Sequence, residues 1–327
     1  MNALRFHGAA DLRLEELPMP DPGPGEVRIR PQAAGICGTD AHIFRGEFAA
    51  AAPVVLGHEI GGVVDAVGSG VHSLREGDLV TVQPNTFCGA CRFCRDGCEH
   101  LCEGMRAYGV HMNGGFAEAM VAAARNVYRL PAGIGARIGC FAEPLACCVH
   151  GMDRLAVRSG ATVLVIGAGA VGLLLTRLAR LAGAGHITVS EPGEGRRAAA
   201  AGFGADHAVA PDSIEGDFDY VIDAVGSGPT FEQAIARAAR GGSILVFGVA
   251  PAHAAATVRP NEIFARELTI VGSLINPYTH GRAVELLPQM GLEKLKVAAL
   301  PLARYVEAFE TQANPAEAFK VLFLPQE

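Results

Sequence analysis

Four cysteines crowd into one short stretch, Cys88-x2-Cys91-x2-Cys94-x7-Cys102. Thiolate sulfur suits tetrahedral zinc, and an all-cysteine set closes the coordination sphere and serves structure rather than chemistry. Two-residue gaps let neighbouring sulfurs converge on one ion, and Gly89 and Gly97 ease the backbone bends this demands. Cys98 is a fifth thiol in the same stretch, so spacing alone leaves the fourth ligand open, although Cys98 lies close to Cys94 and Cys102 offers the wider gap. Free thiols at this density would be prone to oxidation, which argues for a bound metal.

A second set of donors is scattered. Cys37 lies in Gly35-Ile36-Cys37-Gly38-Thr39-Asp40-Ala41-His42, followed by Gly57-His58-Glu59 and, much later, by Glu143-Pro144-Leu145. Each residue alone is weak evidence; Glu143 by itself is equally a carboxylate at a helix N-terminus. Together they offer sulfur, imidazole and carboxylate, the mixture that catalytic zinc uses when one position stays open. An alcohol oxygen in that position loses its proton more easily, because the metal stabilises the alkoxide. Cys140, Cys147 and Cys148 are expected to be small buried hydrophobes, and His150 a satisfied core residue.

A third feature is Gly167-Ala168-Gly169-Ala170-Val171-Gly172, a G-x-G-x-x-G between an apolar strand and a helix. In that context the first glycine permits a tight turn, the second lets the backbone approach a pyrophosphate, and the third lets helix pack on strand. N–H groups at the helix start then hold the phosphate charge. Glu191 closes the next strand, where a carboxylate accepts from ribose hydroxyls and repels a 2′-phosphate, favouring NAD over NADP. Arg196 and Arg197 pull the other way, since arginine accommodates a 2′-phosphate. Arg197 is taken as a solvated helix face.

These residues need two kinds of scaffold. Before residue 145 the chain reads as short strands and loops, at 27–31, 61–67, 78–82 and 119–121, with an irregular cysteine lobe at 84–104. From 145 the rhythm changes: strands at 162–166, 187–190, 220–224, 243–249 and 268–271 alternate with helices at 145–158, 173–181, 196–203 and 230–239. That alternation predicts an α/β fold with a mainly parallel sheet covered on both faces. After 275 the chain turns helical and ends in a strand at 319–324.

Bulk properties agree. The 327 residues are enough for two domains, and half are hydrophobic. A net charge of −7 without a basic cluster excludes nucleic acid or an anionic membrane as main partner. No apolar run is long enough for a membrane span, and the N-terminus lacks a signal-peptide core. Nine cysteines in so long a chain are not a disulfide framework, so a cytoplasmic location is expected.

The run 35–42, the Gly57-His58-Glu59 triplet, the cysteine lobe and the glycine turn occur in the order and spacing of the zinc-containing medium-chain dehydrogenases. The resemblance covers essentially the whole chain. It is nearest to the branch with sorbitol, threitol, butanediol and threonine dehydrogenases, in which Glu-Pro-Leu, here Glu143-Pro144-Leu145, replaces a third-ligand cysteine. The resemblance implies a GroES-like β-rich catalytic domain at 1–147 and 274–327, and a Rossmann doubly wound parallel-sheet domain at 148–273. It selects Cys102 over Cys98 in a structural zinc site with Cys88, Cys91 and Cys94. It makes Cys37 and His58 ligands of a second, catalytic zinc, Glu59 a ligand or close partner, and Glu143 a ligand directly or through water. Thr39 would take the substrate proton and His42 would pass it to solvent through the cofactor ribose. Gly167, Gly169, Ala170, Val171, Gly172, Glu191 and Arg196 would bind NAD.

The implied reaction is hydride exchange between NAD and a small secondary alcohol, diol or polyol, or its ketone, in a homodimer or homotetramer. L-Threonine or an aminocyclitol is an alternative substrate. A non-catalytic NAD-binding sensor or structural protein is an alternative of another kind, disfavoured because Cys37, His58 and Thr39 all remain. Where animal-type sorbitol dehydrogenases carry a tyrosine after the relay histidine, this chain has Ile43, which removes a hydroxyl that could contact a polyol. Asn276, Tyr278 and His280, in a segment similar to the bacterial branch, are expected at the cleft border as polar contacts or loop shapers. The stretch 294–305 departs from the family sequence, at the subunit contact or cleft rim.

Overall fold

The computed structural model describes residues 1–314 and 318–327. They form two compact units, Met1–Ala146 with His280–Glu327, and Cys147–Thr279. The first division falls inside the helix Ala142–Leu155.

The first unit is built on a sheet in which Val127–Arg129, Leu79–Val82, Glu59–Val67, Glu26–Gly35, Lys320–Phe323 and Val297–Leu300 lie side by side, with Met120–Ala123 also pairing on Glu26–Gly35. Glu26–Gly35 shows why. Val27, Ile29 and Ala33 turn inward while Arg30 and Gln32 face water, the period of two that a half-buried strand requires. Pro31, which has no N–H to give a ladder, coincides with a register shift against Glu59–Val67. Val27, Ile29, Ile60, Val64, Val80 and Val82 form one core cluster. A second gathers Leu4, Ile36, Ile43, Leu56, Phe116 and Phe323 beneath a small sheet of Asp11–Glu16, Asn2–Gly8 and Val54–Val55. The C-terminal segment thus supplies a strand next to Gly35, through the pair Leu322 and Gly35.

The second unit is a six-stranded, wholly parallel sheet in the order His207–Val209, His186–Ser190, Thr162–Ile166, Phe218–Asp223, Ala238–Val246, Thr269–Gly272. Its inner strands are near-continuous apolar runs, as in the Thr-Val-Leu-Val-Ile of Thr162–Ile166, because helices cover both faces. Chain order reverses between Thr162–Ile166 and Phe218–Asp223, the switch point at which doubly wound sheets bind ligands.

Some strands left no clear trace in sequence. His207–Val209 has three residues, too few to show a period, and exists by pairing with His186–Ser190. Within the C-terminal region, expected to be helical, Val297–Leu300 is a strand pairing parallel with Lys320–Phe323. A four-residue apolar run is ambiguous until a partner strand decides it.

Candidate active site

The first donor set is assembled by a helix start and a tight turn. Cys37 has extended backbone angles and is the N-cap of helix α1 (Gly38–Phe44). Asp40, three residues on, accepts a hydrogen bond from the Cys37 N–H through Oδ2 at 2.8 Å, the reach-back that relieves an orphan donor at a helix start. Gly57, with φ +91°, delivers His58 and Glu59; a Cβ there would stand 2.3 Å from the Phe116 ring. The result brings one donor atom each of Cys37, His58 and Glu59 within 4.8 Å of one another. The Thr39 hydroxyl lies 3.7 Å from Cys37 Sγ. His42, on the same helix, is partly exposed. Glu143 is buried in the first turn of Ala142–Leu155 and is not one of the three that converge.

Two residues that motif reasoning missed govern the charge here. Asp40 is fully buried, with Oδ1 3.5 Å from His58 Nδ1. Burial opposes charge on His58, but Asp40 and then Cys37 outweigh it and hold its pKa well above the usual imidazole range. Lys320, 261 residues from Glu59 in sequence, donates to Oε1 at 2.5 Å and lies 2.5 Å from Oε2. Burial works against the ammonium, yet Glu59 and Cys37 push its pKa up to about 12. Gly35 makes room for this pair: a Cβ would stand 2.1 Å from Glu59 Oε2 and 2.9 Å from Lys320 Cε. Asp40 could have been found from its place three residues after an N-cap. Lys320 carries no local signal.

The cysteine lobe brings Cys88, Cys91, Cys94 and Cys102 within the same 4.8 Å limit, and Cys98 is outside that group. Cys91 and Cys94 sulfurs are 3.6 Å apart and Cys88 and Cys94 3.9 Å. Zinc–sulfur bonds of about 2.3 Å in a tetrahedron place sulfurs about 3.8 Å apart, so the set fits the ion. N–H groups of Ala90 and Cys91 aim at Cys88 Sγ from 3.4 and 3.2 Å and pull its pKa down to about 6. Desolvation and the neighbouring thiols push Cys94 up to about 12.

The glycine turn follows Thr162–Ile166 directly, at the sheet's switch point. Gly167 has φ +98°, and a Cβ there would meet Val225 at 2.7 Å; one on Gly172 would stand 2.0 Å from the Gly167 carbonyl. Gly169 is different: within 4 Å its Cβ would meet only Arg196 Nη1, at 3.9 Å. It is also the N-cap of the helix Ala170–Leu181, which no side chain caps. Open space above the second glycine and an uncapped helix start fit a pyrophosphate. Glu191 is buried and accepts from the N–H groups of Ala168 and Gly193, both at 2.9 Å. A carboxylate has about four acceptor sites, so two remain for hydroxyls.

Residues 23–132 match the alcohol dehydrogenase GroES-like domain and residues 170–289 the zinc-binding dehydrogenase domain. The chain belongs to the zinc-binding alcohol dehydrogenase family. It is a zinc-dependent oxidoreductase. D-altritol 5-dehydrogenase of Agrobacterium fabrum is 36% identical to it over 99% of both chains. A zinc-binding dehydrogenase of Sinorhizobium meliloti 1021, solved with NADP, superposes with TM-score 0.94 at 34% identity, covering 99% of each chain. A structure from E. coli CFT073 described as a short chain alcohol dehydrogenase, solved with NADH, gives TM-score 0.91 at 28% identity over 99% of each.

One sequence expectation, Arg197 as a solvated helix face, is corrected in this dehydrogenase. Ile43 is fully buried in the core of the first unit, because one residue along a helix rotates the side chain by about 100°. Arg197 is not a solvated face residue, since its Nη1 donates to the carbonyls of Glu191 and Pro192 at 2.7 and 2.6 Å. His280 is buried against Tyr128, ring centroids 4.9 Å apart, which fits the loop-shaping alternative, while Tyr278 is exposed and Asn276 buried. Cys140 and Cys148 are fully buried, as small hydrophobes would be, and Cys147 partly so.

Proposed function

We propose that this dehydrogenase oxidises a secondary hydroxyl of a polyol to the ketone, and reduces the ketone in reverse, with NAD as hydride carrier. The observation that carries this reading is the convergence of Cys37, His58 and Glu59 within 4.8 Å beside the Thr39 hydroxyl. These residues would hold a catalytic zinc, with Glu143 completing the set directly or through water. Cys88, Cys91, Cys94 and Cys102 would hold a structural one. A zinc held there would supply Lewis-acid chemistry, easing loss of the alcohol proton. Thr39 accepts the alcohol proton, since a hydroxyl accepts and donates at once. His42, three residues on and on the same face of α1, delivers it to water. Asp40 fixes the orientation of His58, and Lys320 neutralises Glu59.

The preference for NAD rests on Glu191, whose buried charge would repel a 2′-phosphate; the similar solved structures contain either cofactor. A homo-oligomer is supported by the outer strand Thr269–Gly272, which among the described residues has one unpaired edge, and by its exposed Ile270, a pairing template for a second copy. Among the described residues no helix is long and apolar enough to cross a membrane. None of the nine cysteines is in a disulfide, which suits a reducing cytoplasm.

The test is turnover across polyols, diols, cyclitols and L-threonine with NAD and NADP, alongside zinc analysis. Polyol oxidation with NAD and about two zinc per chain, the one lost to mild chelation taking activity with it, is expected. Turnover of L-threonine without polyols, or activity that survives removal of all zinc, would overturn the reading.

A further inference from the structure

Helix α1 ends in a way that builds a second group onto His42. Arg45 is its C-cap, and Gly46 follows with φ +76°. The Gly46 N–H bonds to the Ile43 carbonyl and the Glu47 N–H to the His42 carbonyl, both at 2.9 Å. This is the paired pattern of a Schellman cap, which needs a left-handed residue at the glycine position. A Cβ on Gly46 would also stand 2.9 Å from Ala9 Cβ. The cap folds the chain back so that Glu47 lies over the very residue whose carbonyl it bonds. Glu47 Oε2 is 2.6 Å from His42 Nδ1. Arg45 grips the same carboxylate from Nε and Nη2, both at 2.9 Å, and its Nη2 is 3.1 Å from His42 Nδ1. Arg45 and then His42 hold the Glu47 carboxyl down at about 2. Among the described residues, no other charged or titratable side chain meets His42.

We infer that Glu47 is a positioning residue for proton transfer: it fixes the His42 tautomer with the proton on Nδ1, leaving the Nε2 lone pair as the base, and Arg45 tempers its charge. A carboxylate only accepts hydrogen bonds, so a 2.6 Å contact to Nδ1 requires Nδ1 to donate. Nε2 has no protein partner among the described residues. The proton released by the alcohol arrives at Nε2 and leaves from Nε2 to water, while the Nδ1 proton stays in place. A carboxylate alone at this distance would favour the charged ring strongly. The Arg45 guanidinium beside the same nitrogen opposes that.

The inference rests on His42 acting as the relay, and the test separates the two ideas. In the 15N-histidine-labelled holoenzyme, with the resonance assigned by His42→Gln, the neutral His42 ring should carry its proton on Nδ1; a proton on Nε2 overturns the inference. In steady-state pH profiles of alcohol oxidation, Glu47→Gln should move the acidic limb of kcat/KM down by about one pH unit and lower the plateau on the order of ten-fold. Glu47→Asp should restore most of both. Arg45→Gln should move the same limb up, since it leaves the carboxylate unopposed. A general structural loss would not move one limb in opposite directions. If His42→Gln is impaired while both neighbours' variants leave the limb unmoved, the positioning role is wrong and the relay stands. If His42→Gln keeps the wild-type rate and profile, the relay fails and the inference falls with it.

Discussion

His280→Leu should change how stability depends on pH. The imidazole is 1% exposed, and among the described residues neither ring nitrogen has a hydrogen-bond partner. Burial lowers its pKa from the ordinary 6.5 to about 3. Between these values the unfolded chain binds a proton that the folded chain refuses. Stability therefore rises with pH across that window, is fully present above about pH 6.5, and is lost as pH falls toward 3. The slope from one such group reaches about 1.4 kcal/mol per pH unit. Three units of acidification thus remove on the order of 4 kcal/mol, a large share of the roughly 5–15 kcal/mol that holds a domain together. Leucine has similar bulk, cannot be protonated and buries no polar atom. Because an unpartnered buried polar group costs about 1–3 kcal/mol, the variant should already be slightly more stable at pH 8. Its advantage should widen steadily below pH 6.5. Urea unfolding by circular dichroism at fixed zinc, repeated from pH 8 to 4 on both proteins, gives the difference directly. Hydrogen exchange over His280–Leu286 assigns that difference to the first unit. A gap that stays constant across the series would refute the reasoning, because the ring would then be protonating inside the fold.

Lys320→Met should cost about 3–5 kcal/mol when the same unfolding assay is run on zinc-free protein, since it strands the buried Glu59 carboxylate without a cation; an unchanged midpoint would show that Glu59 has another partner. Asp40→Asn should weaken zinc binding at the Cys37 site by about 10–100-fold, as loss of a ligand-orienting carboxylate does, read by competition with a chelator; unaltered affinity would remove Asp40 from that role. Cys102→Ser should leave about one zinc per chain and loosen the lobe, while Cys98→Ser should keep about two; equal zinc content in both variants would contradict the ligand set.

How legible each feature was depends on how local it is. The cysteine lobe could be found because its donors sit within fifteen positions, and two-residue gaps constrain sulfurs whatever the rest of the chain does. The glycine turn was legible for the same reason, since strand, turn and helix are consecutive. Cys37, His58 and Glu143 are far apart in sequence, and only the family resemblance gathered them; the fold brings Cys37, His58 and Glu59 together and leaves Glu143 outside that convergence. The residue next to His42 shows the limit of motif reasoning. Ile43 is adjacent to His42 in sequence, but helix phase turns one into the core and the other toward water.

By itself the sequence determined the two-part architecture, the parallel sheet and its glycine turn, and a sulfur-rich lobe, because each follows from short-range periodicity or spacing; the fold picks Cys102 and not Cys98 as the fourth sulfur. Only the tertiary structure decided the electrostatics around the catalytic donors. A C-terminal strand pairs on Gly35 and carries Lys320 to Glu59, and a left-handed glycine folds Glu47 over His42. Buried charges must find partners wherever the fold can supply them, so those partners are fixed by strand pairing and helix termini and not by neighbourhood in the chain.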